Sequence, residues 1–571
     1  MNNRRALKRN QPTPNNVEID SDDELDSQVH KDLPEIASEE LIEESDIDSD
    51  ASDEVDSEEE TNDEADINTS NNDSSEISIS ESPSSSDEYD TDDVYEGKDG
   101  TLWSKTVPKK TQTAAVNKFT KKPGPKSQQA KRVNTVLESF ELFMDDSIYE
   151  KIVFYTNKYL ESIRSTDQSK RYKCNPTNVN EFKALFGLLF LLSSGRIGKG
   201  NIEYLWNNKT GRAWQITNAI MGFYRYSFLL HCIHFDDYEK RTESLKLDRF
   251  ALVREIFEAI RLRFQQHYEP DKELCIDEQL LAYRGRVLFK QYIPSKPAKY
   301  GFKVWALVDV KSRYTLNLEP YVGKQPEVDT NGAPNVFNVN VAPFHLVQRL
   351  SKKYLKCGRN ITGDNWFTSV PLLRELRKKK TFYVGTIRKN KREIPPEFHA
   401  SKTREQYSSI FGFKKQMILV YYVPKKNKSV LLVSTQHHDA AIDIRSKVKA
   451  KPEIITFYNE TKFGVDCVDQ MCTTHSTARI TRRWPLVHFF NLLNLSAINA
   501  QVIYKHNLKK KMSRSNFLNE LGLALAFEEL KRRRNDTYIS LDTRRFIKTL
   551  PGLQENNSET LAQIEPLPHH K

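Results

Sequence analysis

The sequence predicts an α/β fold, a mixed sheet layered with helices, carried between all-helical segments and preceded by an acidic tail that builds no core. Three observations lead there. Apolar residues recur at about every fourth position as far as His267, then switch near Glu273 to strand-like runs bounded by Gly, Pro and Ser. Beyond Phe344, helical and strand-like stretches alternate, as they do in layered α/β domains. Charge divides the chain as well: residues 1–100 hold 34 acidic and 6 basic residues, and the remainder holds 44 and 80.

The tail is expected to span residues 1–103. "SDIDSDASDEVDSEEE" and "SSSDEYDTDD" are serine and acid with few aromatics, too little apolar surface to offset chain entropy. Serine followed by acids suits an acid-directed kinase. Residues 104–136 read as a basic linker. Its clusters Lys109-Lys110, Lys121-Lys122 and Lys131-Arg132 fit a nuclear localisation signal or contacts to phosphate, and a nucleus is the expected location.

Residues 137–271 read as helical. "NEFKALFGLLFLLSS" has a cap at Asn178 or Asn180 and a stop at Gly195, and "FALVREIFEAIRLRF" sets Leu252, Ile256, Ile260 and Phe264 on one face. The run Leu185–Leu192 falls short of the roughly 20 residues a bilayer needs. Nothing apolar follows the opening "MNNRRALKRN", so neither a signal peptide nor a membrane partner is expected.

Residues 272–390 carry the strands "LCIDEQLLAYRG", "GFKVWALVDV" and "YTLNLEPYVG". Then come a helix near Phe344–Lys356, a strand entering Asp364, a helix from Pro371 to Lys380 and the strand "TFYVGTIR". Residues 391–452 add "QMILVYYV" and "SVLLVSTQ", which read as a β-rich insertion. Residues 453–475 return to the sheet domain. Residues 476–550 form a second helical segment in which Pro485 occupies a first turn, and 551–571 are a polar tail.

The basic remainder, +36 in all, calls for a polyanionic partner, and nucleic acid comes first because phosphate neutralisation dominates such binding. Six scattered cysteines with no Cys-x-x-Cys pair fit a reducing compartment. His231, Cys232 and His234 lack a fourth spaced ligand, so no zinc site is assigned.

Four aspartates stand where chemistry is feasible. Asp277 lies in a strand, so it and Glu278 point to opposite faces. Asp364 follows a glycine at a strand–helix junction, and Asp466 and Asp469 are spaced to share one helix face. Acids from separate elements suit a pair of divalent ions roughly 3.5–4 Å apart that clamps an in-line displacement at phosphorus. Oxygen donors favour two Mg²⁺, with Mn²⁺ as the alternative. A structural role competes at each position: Asp364 as a helix cap, Asp277 as a partner of Arg284 or Arg286.

"CIDEQLLAYRGR…QYIPSKPAKYGFKVWALVD", "RNITGDNWFTSVPL" and "NETKFGVDCVDQM…ARITRRWPLVHFFNLLNLSAINAQVIY" resemble the piggyBac family of transposases and transposase-derived proteins, from about Ser139 to Tyr504. The resemblance implies a catalytic domain of the RNase H-like kind with an insertion. It also implies a helical dimerisation and DNA-binding domain assembled from segments on both sides. By motif, Asp277, Asp364 and Asp466 match the catalytic triad and Asp469 a fourth acid near the metals. Asp309 matches a strand-end acid that is not usually a ligand. Trp484, flanked by Arg482 and Arg483 and preceded by Arg479, matches a tryptophan that stacks on DNA. Members nick double-stranded DNA, form hairpins on transposon ends and join them at TTAA targets, commonly as dimers. Two departures stand out. No cysteine follows Cys472, where many members carry a cysteine-rich zinc module, so either end recognition comes from the helical domain and the basic segments, or the protein is truncated and binds the ends poorly. Phe463 occupies a position where glycine is usual.

Overall fold

The structure, a computed structural model, describes residues 93–107, 118–164, 175–198, 200–207, 213–323, 342–401 and 403–554. The tail before residue 93, Lys109-Lys110 and the end beyond residue 554 lie outside the described residues.

The N-terminal described elements are β1 (Val94–Glu96), β2 (Leu102–Ser104), β3 (Gly124–Pro125), α1 (Gln128–Arg132) and α2 (Val136–Glu141). Helices follow: α3 (Asp146–Arg164), α4 (Val179–Ser194), α5 (Gln215–Ile220), α6 (Phe223–Cys232), α7 (Arg241–Leu247) and α8 (Ala251–His267). Asn178 is the cap of α4, its side chain accepting from the Glu181 N–H, and Gly195 ends the helix.

The strands β4 (Tyr268–Glu269), β5 (Glu273–Ala282), β6 (Gln291–Tyr292), β7 (Tyr300–Asp309) and β8 (Thr315–Pro320) come next. Then α9 (Pro343–Ser351), β9 (Asn360–Gly363), α10 (Val370–Lys378) and β10 (Phe382–Thr386) alternate. They lead into β11 (Ser409–Lys414), β12 (Met417–Lys425) and β13 (Lys428–Ser434). The chain closes with α11 (Glu453–Thr461), α12 (Gly464–Thr474), α13 (Trp484–Leu508), α14 (Arg514–Arg533) and α15 (Leu541–Thr549).

Among the described residues one mixed sheet of 11 strands runs β1-β2-β11-β12-β13-β10-β9-β5-β7-β6, with β8 also on β7. The pairs β9–β10 and β5–β9 are parallel, and β5–β7 is antiparallel. The strands of the 391–452 stretch are continuous with the central sheet, β13 pairing with β10. One expectation changes here. The tail does not run to residue 103: β1 and β2 form a hairpin, and Ser104 pairs with Phe413 of β11. Trp103 explains why. Its ring is fully buried and its indole N–H donates to the Glu393 carbonyl at 2.9 Å, so a single aromatic anchors an otherwise polar stretch. The 104–136 linker also gains structure, since β3 pairs with β4 and α1 is capped by Ser127.

The helical elements before and after the sheet pack on each other. α4 and α14 cross at two glycines. A Cβ on Gly187 would sit 2.5 Å from the Gly522 carbonyl oxygen, and one on Gly522 would sit 2.7 Å from that of Gly187. α13 is the one described helix long and apolar enough to cross a bilayer, yet it is buried inside the fold, with Phe489, Leu492, Leu493, Ile498 and Ala500 wholly covered. Apolar residues around its whole circumference are what a helix surrounded by protein requires.

Candidate active site

Strand register places the first two acids side by side. β5 and β9 pair in parallel as Glu273–Asn360, Leu274–Ile361 and Cys275–Thr362. The same offset, carried two residues further, sets Asp277 opposite Asp364, just past the end of β9. Helix α12 brings the others. Alternation puts Cys275, Asp277 and Gln279 on one face of β5. The Cys275 Sγ–H donates to the Lys462 carbonyl at 2.9 Å, just before α12 begins. About two helical turns further on, the Gln279 side-chain amide donates to Asp469 Oδ1 at 2.5 Å. α12 therefore runs along this face of β5, and Asp466 falls between the two contacts, next to Asp277.

The electrostatics agree with that placement. Burial, then the charges of Glu278 and Asp364, push the Asp277 carboxyl well above the usual carboxylate range, and Asp466 adds to the effect. Burial pushes Asp469 up to about 7, opposed by Lys296 and by the Gln279 hydrogen bond and reinforced by Asp466. The cation acting on Asp277 is Lys296, not Arg284 or Arg286. Its ammonium lies 3.4 Å from Asp466 Oδ1.

Asp364 also serves its own loop. Its Oδ1 accepts the backbone N–H groups of Trp366 (2.9 Å) and Phe367 (3.3 Å), which fixes the turn between β9 and α10. Below it Phe367 is fully buried, and Trp366 stacks on Trp305 at 5.7 Å. The helix cap itself is Ser369, whose hydroxyl accepts from the Leu372 N–H, so Asp364 does not cap α10 but closes the turn that leads into it. Asp309 is buried and closes the turn after β7, accepting from the N–H groups of Asp271 and Lys311 and from the Ser312 hydroxyl.

A pair of divalent ions is the cofactor this donor set invites. All donors are carboxylate oxygens from three separate elements, which suits a hard cation, and an ammonium is already lodged among them. Closure is less complete. Among the described residues no three His, Cys, Asp or Glu side chains converge tightly enough to grip one metal ion.

The expected DNA-contacting residues divide. Arg482 is exposed. Lys121 and Lys122 are exposed too and line a cleft with Lys126, Lys131 and His506 at the end of α13. Arg479 differs from expectation: it is buried and donates to the Gly198 carbonyl at 2.7 Å, so it anchors the loop after α4 rather than facing solvent. Arg483 is likewise tied, donating to the His231 and Ile233 carbonyls at the end of α6. Both guanidiniums satisfy carbonyls left over at helix ends. Trp484 is half-buried, its ring among Phe289 (5.3 Å), Phe250 (5.8 Å) and His488 (5.9 Å). Phe463 has ordinary backbone angles (φ −82°), so nothing there requires glycine. The glycine that matters is its neighbour Gly464, where a Cβ would meet Cys275 Cβ at 2.6 Å. Lys296 and Gln279 are the site residues that sequence reasoning missed. Both lie inside the quoted motifs, but their partners are remote in sequence.

Comparison with known proteins gives a consistent picture. Residues 135–501 match a family described as Transposase IS4. Human PiggyBac transposable element-derived protein 3 is 25% identical over 378 residues, covering 63% of this chain and 60% of that protein. Human PiggyBac transposable element-derived protein 2 is 25% identical over 365 residues, covering 60% and 57%. The match thus spans less than two thirds of the length of these relatives. Among solved structures, a piggyBac transposase synaptic complex with hairpin DNA superposes with a TM-score of 0.69 at 33% identity, covering 76% of this chain and 89% of that one.

Proposed function

Because the chain belongs to the piggyBac-type transposase family, we propose that it is a DNA transposase that cuts and joins DNA strands at the Asp277–Asp364–Asp466 site. The observation that carries this reading is the shared register of Asp277 and Asp364, with α12 laid along the same strand face. Three parallel strands, β5, β9 and β10, flanked by antiparallel β7, with Asp277 within β5 and Asp364 just past the end of β9, fit an RNase H-like core.

Asp277, Asp364, Asp466 and Asp469 would hold two Mg²⁺, or Mn²⁺ in their place. When bound, such ions lower the pKa of an attacking hydroxyl and neutralise the leaving oxygen. The chain's own residues do the rest. Asp364 is fixed by the turn through its Oδ1. Gln279 orients Asp469. The Trp305–Trp366 stack supports the strand ends from below.

Double-stranded DNA is the proposed substrate: transposon ends, a hairpin intermediate and a TTAA target, acted on by a homodimer in the nucleus. The neighbouring structure with hairpin DNA and the exposed Arg482, Lys121 and Lys122 support that choice. A phosphate-led interface loses affinity steeply as salt rises.

One observation favours a second reading, a DNA-binding protein that keeps the fold without cutting. Lys296 is paired with Asp466, and the carboxylates do not close on a common point. A single assay separates the two. The protein is incubated with a duplex bearing the inverted repeat that flanks its gene, bordered by TTAA, in Mg²⁺ and in EDTA. Nicks and hairpins that appear only with Mg²⁺ support the transposase; a bound but intact duplex supports the second reading.

A further inference from the structure

We propose that Lys296 is a built-in counter-ion of the carboxylate cluster, and that divalent ions enter by displacing its ammonium. The inference rests on the reading that these acids bind divalent ions. It adds a competitor and a positioning residue to that site.

The loop that carries Lys296 is built to hold it. "YIPSKPAKY" joins β6 to β7, and Pro294 and Pro297 restrict the backbone on both sides of the lysine. The Lys296 N–H donates to the Ile293 carbonyl at 3.2 Å, and the Lys299 N–H to the Lys296 carbonyl at 3.0 Å. The Ile293 N–H closes the loop on the Lys299 carbonyl at 2.8 Å. Lys299 takes a left-handed conformation (φ 54°) that turns the chain back into β7.

The Lys296 side chain points into the acids. It is 20% exposed, and its ammonium is 3.4 Å from Asp466 Oδ1. Besides Asp466, the acids whose charges act on it are Asp277, Glu278 and Asp469. The groups that face it therefore come from both β5 and α12, the two elements that carry three of the four proposed ligands.

The contact is also suited to exchange. At 3.4 Å it is longer than the roughly 2.7–2.9 Å of a well-formed charge-assisted hydrogen bond. One ammonium neutralises one charge among several carboxylates, whereas each divalent ion neutralises two. A divalent pair is thus favoured once available, and the lysine keeps the acids from repelling one another until then.

Mn²⁺ binding to the full chain, read by titration calorimetry and by loss of the free-ion electron-spin signal, tests this without reference to DNA cleavage. Wild type is compared with Lys296→Met, Lys296→Gln and Lys296→Arg. Lys311→Met is the control, because it removes an exposed ion pair with Asp271 away from the site. Removing one unit charge at contact distance is expected to tighten Mn²⁺ binding about tenfold in the Met and Gln variants. The Arg variant should stay near wild type and Lys311→Met unchanged. The Met and Gln variants should also melt at lower temperature than wild type in EDTA, a gap that narrows with saturating Mn²⁺. The Gln variant keeps the test open if Met does not fold. Equal or weaker Mn²⁺ binding in a folded Met or Gln variant, alongside a wild type that binds, overturns the counter-ion role alone. Should no variant and no wild type bind Mn²⁺, the metal reading of the site falls and takes this inference with it.

Discussion

Gln279 and Asp469 are joined by a 2.5 Å hydrogen bond between a sheet strand and a helix. Gln279 is wholly buried, and its own carbonyl end receives Asn491 of α13 at 3.4 Å. Asp469 is thus oriented from two elements at once. Gln279→Leu removes the donor and leaves the carboxylate buried beside an apolar group. The expected outcome is a loss of Mn²⁺ affinity of about 10–100-fold, the usual cost of losing an outer-sphere partner. DNA affinity, measured in EDTA by anisotropy, should not change.

Asn substitutions separate chemistry from folding at the acids. Asp364→Asn keeps an oxygen to accept the Trp366 and Phe367 N–H groups, so it should fold normally and lose cleavage while still binding DNA. Asp364→Ala loses the same activity and also the turn hydrogen bonds to Trp366 and Phe367, which costs about 1 kcal/mol more in stability. Asp277→Asn removes a charge from a crowded site, so it should abolish cleavage yet melt at or above the wild-type temperature in EDTA. Cleavage at the wild-type rate in any of these variants removes the residue from the catalytic set.

Gly464→Ala tests the contact that seats α12. The added methyl has no room beside Cys275 Cβ at 2.6 Å, so the helix must move off β5. A loss of about 1–3 kcal/mol, typical of overpacking, is expected by urea titration. Activity should fall further than stability, because Asp466 moves with the helix.

Trp103 anchors the β1–β2 hairpin to the rest of the fold. Deleting residues 1–90 should leave the melting temperature unchanged, whereas deleting residues 1–107 strips β1 and β2 from β11. Trp103→Ala alone is expected to cost about 3–5 kcal/mol, as for other buried aromatics. Scanning calorimetry of the three proteins checks this.

His488 makes the fold acid-sensitive. It is wholly buried among Phe302, Phe250 and Trp484, and burial pulls its pKa down to about 3 from 6.5. The unfolded chain therefore binds the proton that the folded chain refuses, and stability drops as pH falls from 6.5 towards 3. His234, His267 and His437 are depressed in the same direction. Between pH 7.5 and 5.0 the urea midpoint of His488→Leu should fall less than that of wild type.

What the sequence by itself determined is whatever depends on neighbours along the chain. The period switch near Glu273, the Asn178 cap, the Gly195 stop, the Pro485 first turn and the strand-end setting of Asp364 were all legible, because propensity and capping act over a few residues. Long motifs also marked the four acids as a group. Only the tertiary structure decided which segments meet. An acidic stretch holding Trp103 became a sheet edge because Glu393, 290 positions away, offered a carbonyl. Arg479 and Arg483 read as DNA contacts until backbone carbonyls of remote segments claimed them, and Lys296, unassigned in the sequence, gained its partner only when α12 brought Asp466 to it. Burial, ion pairing and register between remote segments are set by how the chain packs, and no local window of residues contains that information.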